Sequence, residues 1–337
     1  MKEKFFNSAC GRYQSEDGES YFAKKNLNKI TKDLPLKVLS KEDWKHWQEF
    51  GFVIIKSAIS KDLAEKILDM TWDFQNMDRE KPETWYPEKV YRSDLDKDLY
   101  VYGFVEVYHH QLLWESRQDS KVYNAFVDIW DCEELWVTLD RVNLNPPNIL
   151  NRSRDLIKRT DEGFDISLHW DVDTSLENLP QRVQGIIALN DSNPETGGFQ
   201  CCPSLFRHFD DWKVKQPKDR DPIRPKVNKE EHPIIIPRLE AGDMLIFNGL
   251  LAHGVKENMS ERGVRAVQYL SMSPALEDNS NLRESRIKSW EKLSTPDWNP
   301  TLLGDAVMHE SERYGSAKLN DLGKKLLGLA KWCEDKS

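Results

Sequence analysis

Leu168-His169-Trp170-Asp171, answered far along the chain by Leu251-Ala252-His253-Gly254, are the stretches on which the fold turns. Two imidazoles and one carboxylate, arranged as His-x-Asp and a distant His, form the facial ligand set of a mononuclear non-haem iron(II) site. The metal's other face stays open for a cosubstrate and dioxygen. Side chains alternate along a β-strand, so residues 169 and 171 point the same way, about 7 Å apart. Residues 165–172 read as such a strand, though with imperfect alternation. Gly242-Asp243 opens a second, apolar strand, and His253 lies just past its end. In a sandwich or barrel of strands, a residue there closes a metal site begun on another sheet. A His-x-Asp alone carries little weight in a chain with 8 His and 57 acidic residues, where a half-buried surface His beside a solvated Asp is an equal reading. The surroundings decide.

Downstream of His253, residues 264–271 (Val-Arg-Ala-Val-Gln-Tyr-Leu-Ser) are β-branched and aromatic enough for a strand near the metal. Arg265 sits on it, and a planar, permanently charged fork suits the distal end of a dicarboxylate. Arg262 is the competitor, but it falls in the turn and faces water on this reading. Arg141 and Asn143 share one face of the strand expected over 136–144 and offer further polar groups; an ion-paired Arg on a sheet edge is the alternative for Arg141.

The order of elements gives the fold class. Residues 1–37 read as a polar amino-terminal arm, 38–275 as the main domain, and 276–337 as a carboxy-terminal helical extension packed on it. Ser40 is a helix N-cap and Gly51 a helix stop; Ser60 begins a second helix with an apolar stripe. Helix is expected over 121–135 and again at 317–334. Strands are expected at 136–144, 166–172, 183–189, 199–202, 233–237, 243–247 and 264–271. Several short strands between leading and trailing helices describe a mostly β protein with flanking α: a double-stranded β-helix, or jelly roll, of cupin-like type.

Composition narrows the class. With 337 residues, 39% hydrophobic and 31% charged, the chain can bury an ample core in one enlarged sandwich or two modest domains. A net charge of −9 and a pI near 5.5 disfavour nucleic-acid partners. No apolar run approaches the roughly 20 residues of a membrane span. Met1-Lys2-Glu3-Lys4-Phe5-Phe6-Asn7 leads into polar residues without the apolar segment of a signal peptide. The five Cys show neither a disulfide framework nor zinc spacing, and a cytoplasmic location is expected.

Taken in order, a set of motifs resembles the phytanoyl-CoA dioxygenase family of iron(II)- and 2-oxoglutarate-dependent oxygenases. They are the helix and strand over 40–55, Asn145-Pro146-Pro147, His169-x-Asp171, Asn193-Pro194-Glu195-Thr196-Gly197-Gly198, Gly242-Asp243, His253-Gly254 and Arg265-Ala266. The resemblance implies Fe(II) held by His169, Asp171 and His253, with 2-oxoglutarate and O2 as cosubstrates. Arg265 would pair the distal carboxylate; Arg141 and Asn143, from their shared strand face, are read as supplying polar groups in place of the family residues that Trp170 and Asn145 replace. It implies oxidation of an unactivated C–H bond of a small molecule, with succinate and CO2 released. Hydroxylation is the default; desaturation or oxidative cyclisation in specialised or amino-acid-derived biosynthesis is the other outcome. Asp171 occupies the position that related halogenases leave empty. Two departures stand out: Trp170 where the family often has Gln, and Asn145 where it often has Lys. Residues 148–163, with Arg152, Arg154, Lys158 and Arg159, and the polar stretch 206–231 lie where a substrate entrance is expected, which suggests an anionic substrate; a solvated charged loop is the alternative. A rival from another class is a metal-binding jelly-roll module without turnover.

Overall fold

The computed structural model describes residues 27–85, 103–147, 160–161, 164–165, 168–177, 179–294 and 306–332. Local chemistry starts the elements where the sequence places them. Ser40 caps the helix Lys41–Phe50 through a capping box with Asp43, and Gly51, at φ 76°, ends it. Asp119 caps the helix Ser120–Trp130, and Asp131, in the left-handed conformation at φ 53°, stops it. That stop makes this helix shorter than the expected 121–135, because Leu135 already begins a strand.

The strands are β1 (Phe52–Ile55), β2 (Phe104–Val105), β3 (Leu135–Val137), β4 (Val142–Asn145), β5 (Thr160–Asp161), β6 (Phe164–Asp165), β7 (Val183–Ala188), β8 (Gly198–Cys201), β9 (Met244–Asn248), β10 (His253–Lys256), β11 (Arg265–Tyr269) and β12 (Met272–Pro274). Six of them form one antiparallel sheet in the order β1-β9-β7-β11-β4-β2. The expected strand 136–144 is thus two strands: β3 pairs β12, while β4 joins the large sheet. The expected strand 233–237 is only a single bridge, Cys201 to Ile235.

A smaller sheet faces the large one. Its regular part is β10 paired with β8, extended by single bridges from His169 to His253 on one side and from Cys201 to Ile235 on the other. The two inner faces meet in one apolar cluster containing Ile186, Ala188, Leu245, Phe247 and Val267 from the large sheet and Phe199 and Cys201 from the small one. This is a jelly roll of two packed sheets with helical flanks and no closed barrel. The other face of the large sheet, with Val53, Ile187, Ile246 and Ala266, joins the helical core of Trp47, Ile67, Leu68, Phe126 and Ile129.

Both flanks are tied down by buried polar groups. Asp128 accepts the backbone N–H groups of Lys37, Val38 and Leu39, each at 2.8 Å, and Asp131 accepts those of Asp33 and Leu34. On the opposite flank, the helix Ser280–Lys292 inserts the fully buried Arg286. Its guanidinium donates to the carbonyls of Val137, Leu326 and Leu327, so it cross-links β3 to the helix Asp321–Leu327. The latter replaces the longer tail helix expected over 317–334, since Gly328, at φ 97°, ends it. Among the described residues no helix is long and apolar enough to cross a membrane.

Gly185 marks the tightest packing between β7 and its neighbours: a Cβ there would lie 2.5 Å from the Leu270 carbonyl oxygen and 3.1 Å from the Phe126 ring. Gly185→Ala is expected to cost about 1–3 kcal/mol, the usual range for overpacking a dense interior. Urea denaturation measures it; an unchanged midpoint would contradict the packing described.

Candidate metal centre

The ligands sit on the small sheet and its edge. His169 and His253 exchange two backbone hydrogen bonds, N to O at 2.8 and 3.0 Å, so their side chains leave the sheet on the same side. Although residues 168–172 are not a regular strand, the alternation expected of one holds. Leu168, Trp170 and Val172 pack outward with Leu205, Phe209 and Trp212, while His169 and Asp171 face inward. The sequence stretch therefore works as predicted in its side chains, without the full strand.

The three ligands meet. His169, Asp171 and His253 each offer one donor atom, all within 4.8 Å of one another. Asp171 Oδ1 lies 3.8 Å from His169 Nε2, and Asp171 Oδ2 lies 3.5 Å from His253 Nε2. The imidazole rings are 4.6 Å apart between centroids. His253 Nδ1 lies 2.9 Å from the Leu251 carbonyl oxygen, a contact in which Nδ1–H donates and leaves Nε2 as the metal-facing lone pair. Burial pushes the Asp171 carboxyl up, but His253, His169 and a hydrogen bond from Gln184 outweigh it and hold the group well below the usual carboxylate range. A carboxylate between two imidazoles is a donor set that fits ferrous iron. Asp171 and His253 are buried and His169 is half-buried, so the centre opens on the His169 side.

Two aromatic walls and a buried cation complete the inner surface. Phe247 and Phe199 lie 4.5 and 5.9 Å from the His253 ring. Arg265 is buried on β11, opposite Asn145 of β4 in register, and donates to Asn143 Oδ1 at 3.0 Å; Asn145 Nδ2 donates to the same oxygen at 2.8 Å. No carboxylate among the described residues pairs with Arg265, and burial pulls its pKa down with only Tyr269 opposing. Gly198 lies against it: a Cβ there would come 3.4 Å from Arg265 Nε.

The remaining sequence candidates fall elsewhere. Arg262 is exposed. Arg141 is buried in an ion pair with Glu106 at 3.0 Å and Asp140 at 3.2 Å, its guanidinium 4.7 Å from the Phe104 ring. The structure thus joins Asn143 to Arg265 and gives Arg141 to the acids, the alternative contemplated for it. Trp170 turns away from the ligands: its indole N–H donates to the Leu250 carbonyl at 2.9 Å, and its ring meets Phe209 and Trp212 edge-on. Those contacts also correct the reading of 206–231 as a polar loop. It contains the helix Phe209–Lys215, and its carbonyls at Pro222 and Ile223 accept from Thr174 and Trp170, bracing the ligand segment from outside. Arg152, Arg154, Lys158 and Arg159 lie outside the described residues. A surface cleft lined by His208, Trp212, Lys226 and His232 contains none of the three ligands.

Sequence reasoning missed Gln184 and Gly198. Gln184 had a visible signal, a lone amide in the apolar run Val183–Ala188; Gly198 had none beyond its place in Gly197-Gly198.

His169→Ala and His253→Ala are each expected to weaken Fe(II) or Co(II) binding at least about 100-fold, beyond what losing a supporting hydrogen bond costs. His232→Ala is expected to bind like the parent. Anaerobic calorimetric titration reads all three, and parent-like affinity in either ligand variant would contradict the site.

Comparisons with known proteins agree with this geometry. Residues 47–267 match the family model described as Phytanoyl-CoA dioxygenase (PhyH). A curated relative, "Ava biosynthesis cluster protein O" of Aspergillus versicolor, is 27% identical over 185 residues, 53% of this chain and 55% of that protein; the chain spans about half the length of the curated relative it matches. Among solved structures, the GlcNAc Inducible Gene 2 product of Candida albicans superimposes with a TM-score of 0.59 at 16% identity, covering 89% of this chain and 79% of the other. A hypothetical protein of Escherichia coli gives 0.57 at 18% identity, covering 86% and 81%. At such identities these two show likeness of fold. With the family match spanning most of the jelly roll and the three candidate ligands inside it, the chain belongs to the phytanoyl-CoA dioxygenase family.

Proposed function

We propose that the chain oxidises an unactivated C–H bond of a small molecule, by hydroxylation or by desaturation or ring closure in specialised metabolism. The observation that carries the cosubstrate assignment is Arg265: a guanidinium buried in the sandwich, oriented by Asn143, with no carboxylate partner among the described residues. A desolvated cation of this kind is unfavourable alone and is satisfied by an anion bound against it. The distal carboxylate of 2-oxoglutarate fits that requirement. When bound, iron(II) with 2-oxoglutarate and dioxygen supplies an oxidant for C–H bonds, with succinate and CO2 as by-products.

The chain's own residues supply order and dryness. His169, Asp171 and His253 hold the metal from one face, and Phe199 and Phe247 keep water from the His253 side. The half-buried His169 leaves the route by which a substrate reaches the open face. The cations within 148–163 support an anionic substrate, and a relative named for a biosynthesis cluster supports a place in specialised metabolism.

Arg265→Leu is expected to weaken 2-oxoglutarate binding about 100-fold, equivalent to about 3 kcal/mol of lost charge-assisted pairing, with Fe(II) affinity near that of the parent. Titrating each ligand anaerobically separates the two effects. Unchanged 2-oxoglutarate affinity would remove Arg265 as the anchor. Succinate release that requires both O2 and 2-oxoglutarate distinguishes an oxygenase from the rival reading, a metal-binding jelly-roll module without turnover.

A further inference from the structure

We propose that Gln184 is a positioning residue for the metal site: it fixes the rotation of the Asp171 carboxylate so that its two oxygens stay turned toward the two imidazoles. The proposal rests on the iron site argued above and goes beyond its three ligands.

The need for such a residue comes from the backbone. Among the described residues, the segment with His169 and Asp171 pairs with the small sheet through one bridge, His169 to His253, and is further tied by side-chain bonds such as that from Arg182 to the Asp171 carbonyl. Asp171 is two residues beyond that bridge, where no strand pairing fixes it. A carboxylate there can rotate about its side-chain bonds unless a neighbour holds it. Gln184 does so from the centre of the large sheet: its Nε2 donates to Asp171 Oδ2 at 2.9 Å, and both side chains are buried. Oδ1, the oxygen on the His169 side, lies 3.8 Å from His169 Nε2.

The position of Gln184 in the sheet strengthens the case. The other inward-facing residues of β7, Ile186 and Ala188, are apolar parts of the core between the sheets, so an amide here is an exception that packing does not demand. In register, Gln184 stands opposite Phe247 of β9. Phe247 is the ring that packs 4.5 Å from His253. Two neighbouring side chains of one rigid sheet thus contact two different ligands, the amide holding the carboxylate and the phenyl flanking the imidazole. Outer-shell partners of this kind set ligand orientation and metal affinity. Held through Oδ2 by Gln184, the carboxylate keeps Oδ2 3.5 Å from His253 Nε2 and Oδ1 3.8 Å from His169 Nε2, the orientation in which it would share a metal with both imidazoles.

The test uses the full chain with Gln184→Leu, similar in size and without a donor, and reads Co(II) and Fe(II) affinity, the Co(II) d–d spectrum and the melting temperature of the metal-free protein. Expected are a 10- to 100-fold loss of affinity and an altered d–d band, with the metal-free melting temperature near that of the parent. Parent-like affinity and spectrum in folded Gln184→Leu would overturn the proposal. If that variant does not fold, Gln184→Asn, polar but too short to reach Asp171, takes its place with the same expected loss and the same overturning result. Because Co(II) binding needs no cosubstrate, the readout remains valid if 2-oxoglutarate turns out not to bind, an outcome that would defeat the oxygenase reading and leave this one standing or falling by itself.

Discussion

The reciprocal backbone pair between His169 and His253 is the constraint on which the rest depends. Two N–H to O hydrogen bonds, at 2.8 and 3.0 Å, place two imidazoles side by side on the inner face of the small sheet, although their residues come from distant parts of the chain. A one-residue slip of residues 168–172 would send His169 and Asp171 outward, into the cluster that Trp170 now occupies, away from His253. The outward residues prevent that slip. Trp170 is fastened by its backbone N–H to Ile223 and by its indole to Leu250, and it is enclosed by Phe209 and Trp212. The indole that replaces a more usual amide in the middle of the His-x-Asp is therefore a wedge that sets the direction of its two neighbours.

Polarity inside the sandwich is divided between its ends. Across the large sheet, β1, β9 and most of β7 present Phe52, Leu245, Phe247 and Ile186 to the interior, whereas β11 and β4 present Arg265 with Asn143 and Asn145. Just before β4, Arg141 is balanced by Glu106 and Asp140. The two buried arginines thus differ in their partners: Arg141 has acids beside it, and Arg265 has the Asn143 amide oxygen and Tyr269. Among the described residues no acid stands beside Arg265, and a charge buried without a counter-charge is costly, which is what supports the proposed anion there. That difference, more than proximity in the sequence, singles out Arg265.

How much of this could be read from the sequence follows from what each feature obeys. The ligand triad was legible because metal chemistry restricts residue type and spacing far more than packing does, and β7, β9 and β11 were legible as β-branched runs with clear bounds. The pairing of 168–172, the described part of the expected strand, was not, because its inward positions carry the candidate ligands and its outward ones pack on a helix, leaving no regular ladder. The helix Ser280–Lys292 lies in the expected helical extension, but its bounds were not legible for a related reason: it buries Arg286 and Ser289, so it shows no apolar stripe to find. Gln184 escaped because a single amide in a buried strand has meaning only when the carboxylate it meets, 13 residues earlier, is seen to fold back on it.

The account's central claim is that one centre holds both iron(II) and 2-oxoglutarate. Adding the two anaerobically to the wild-type protein and to His253→Ala, and recording the visible spectrum, tests it most directly. The claim predicts a weak metal-to-ligand charge-transfer band in the wild type and none in the variant. No band in folded, iron-loaded wild-type protein would contradict it.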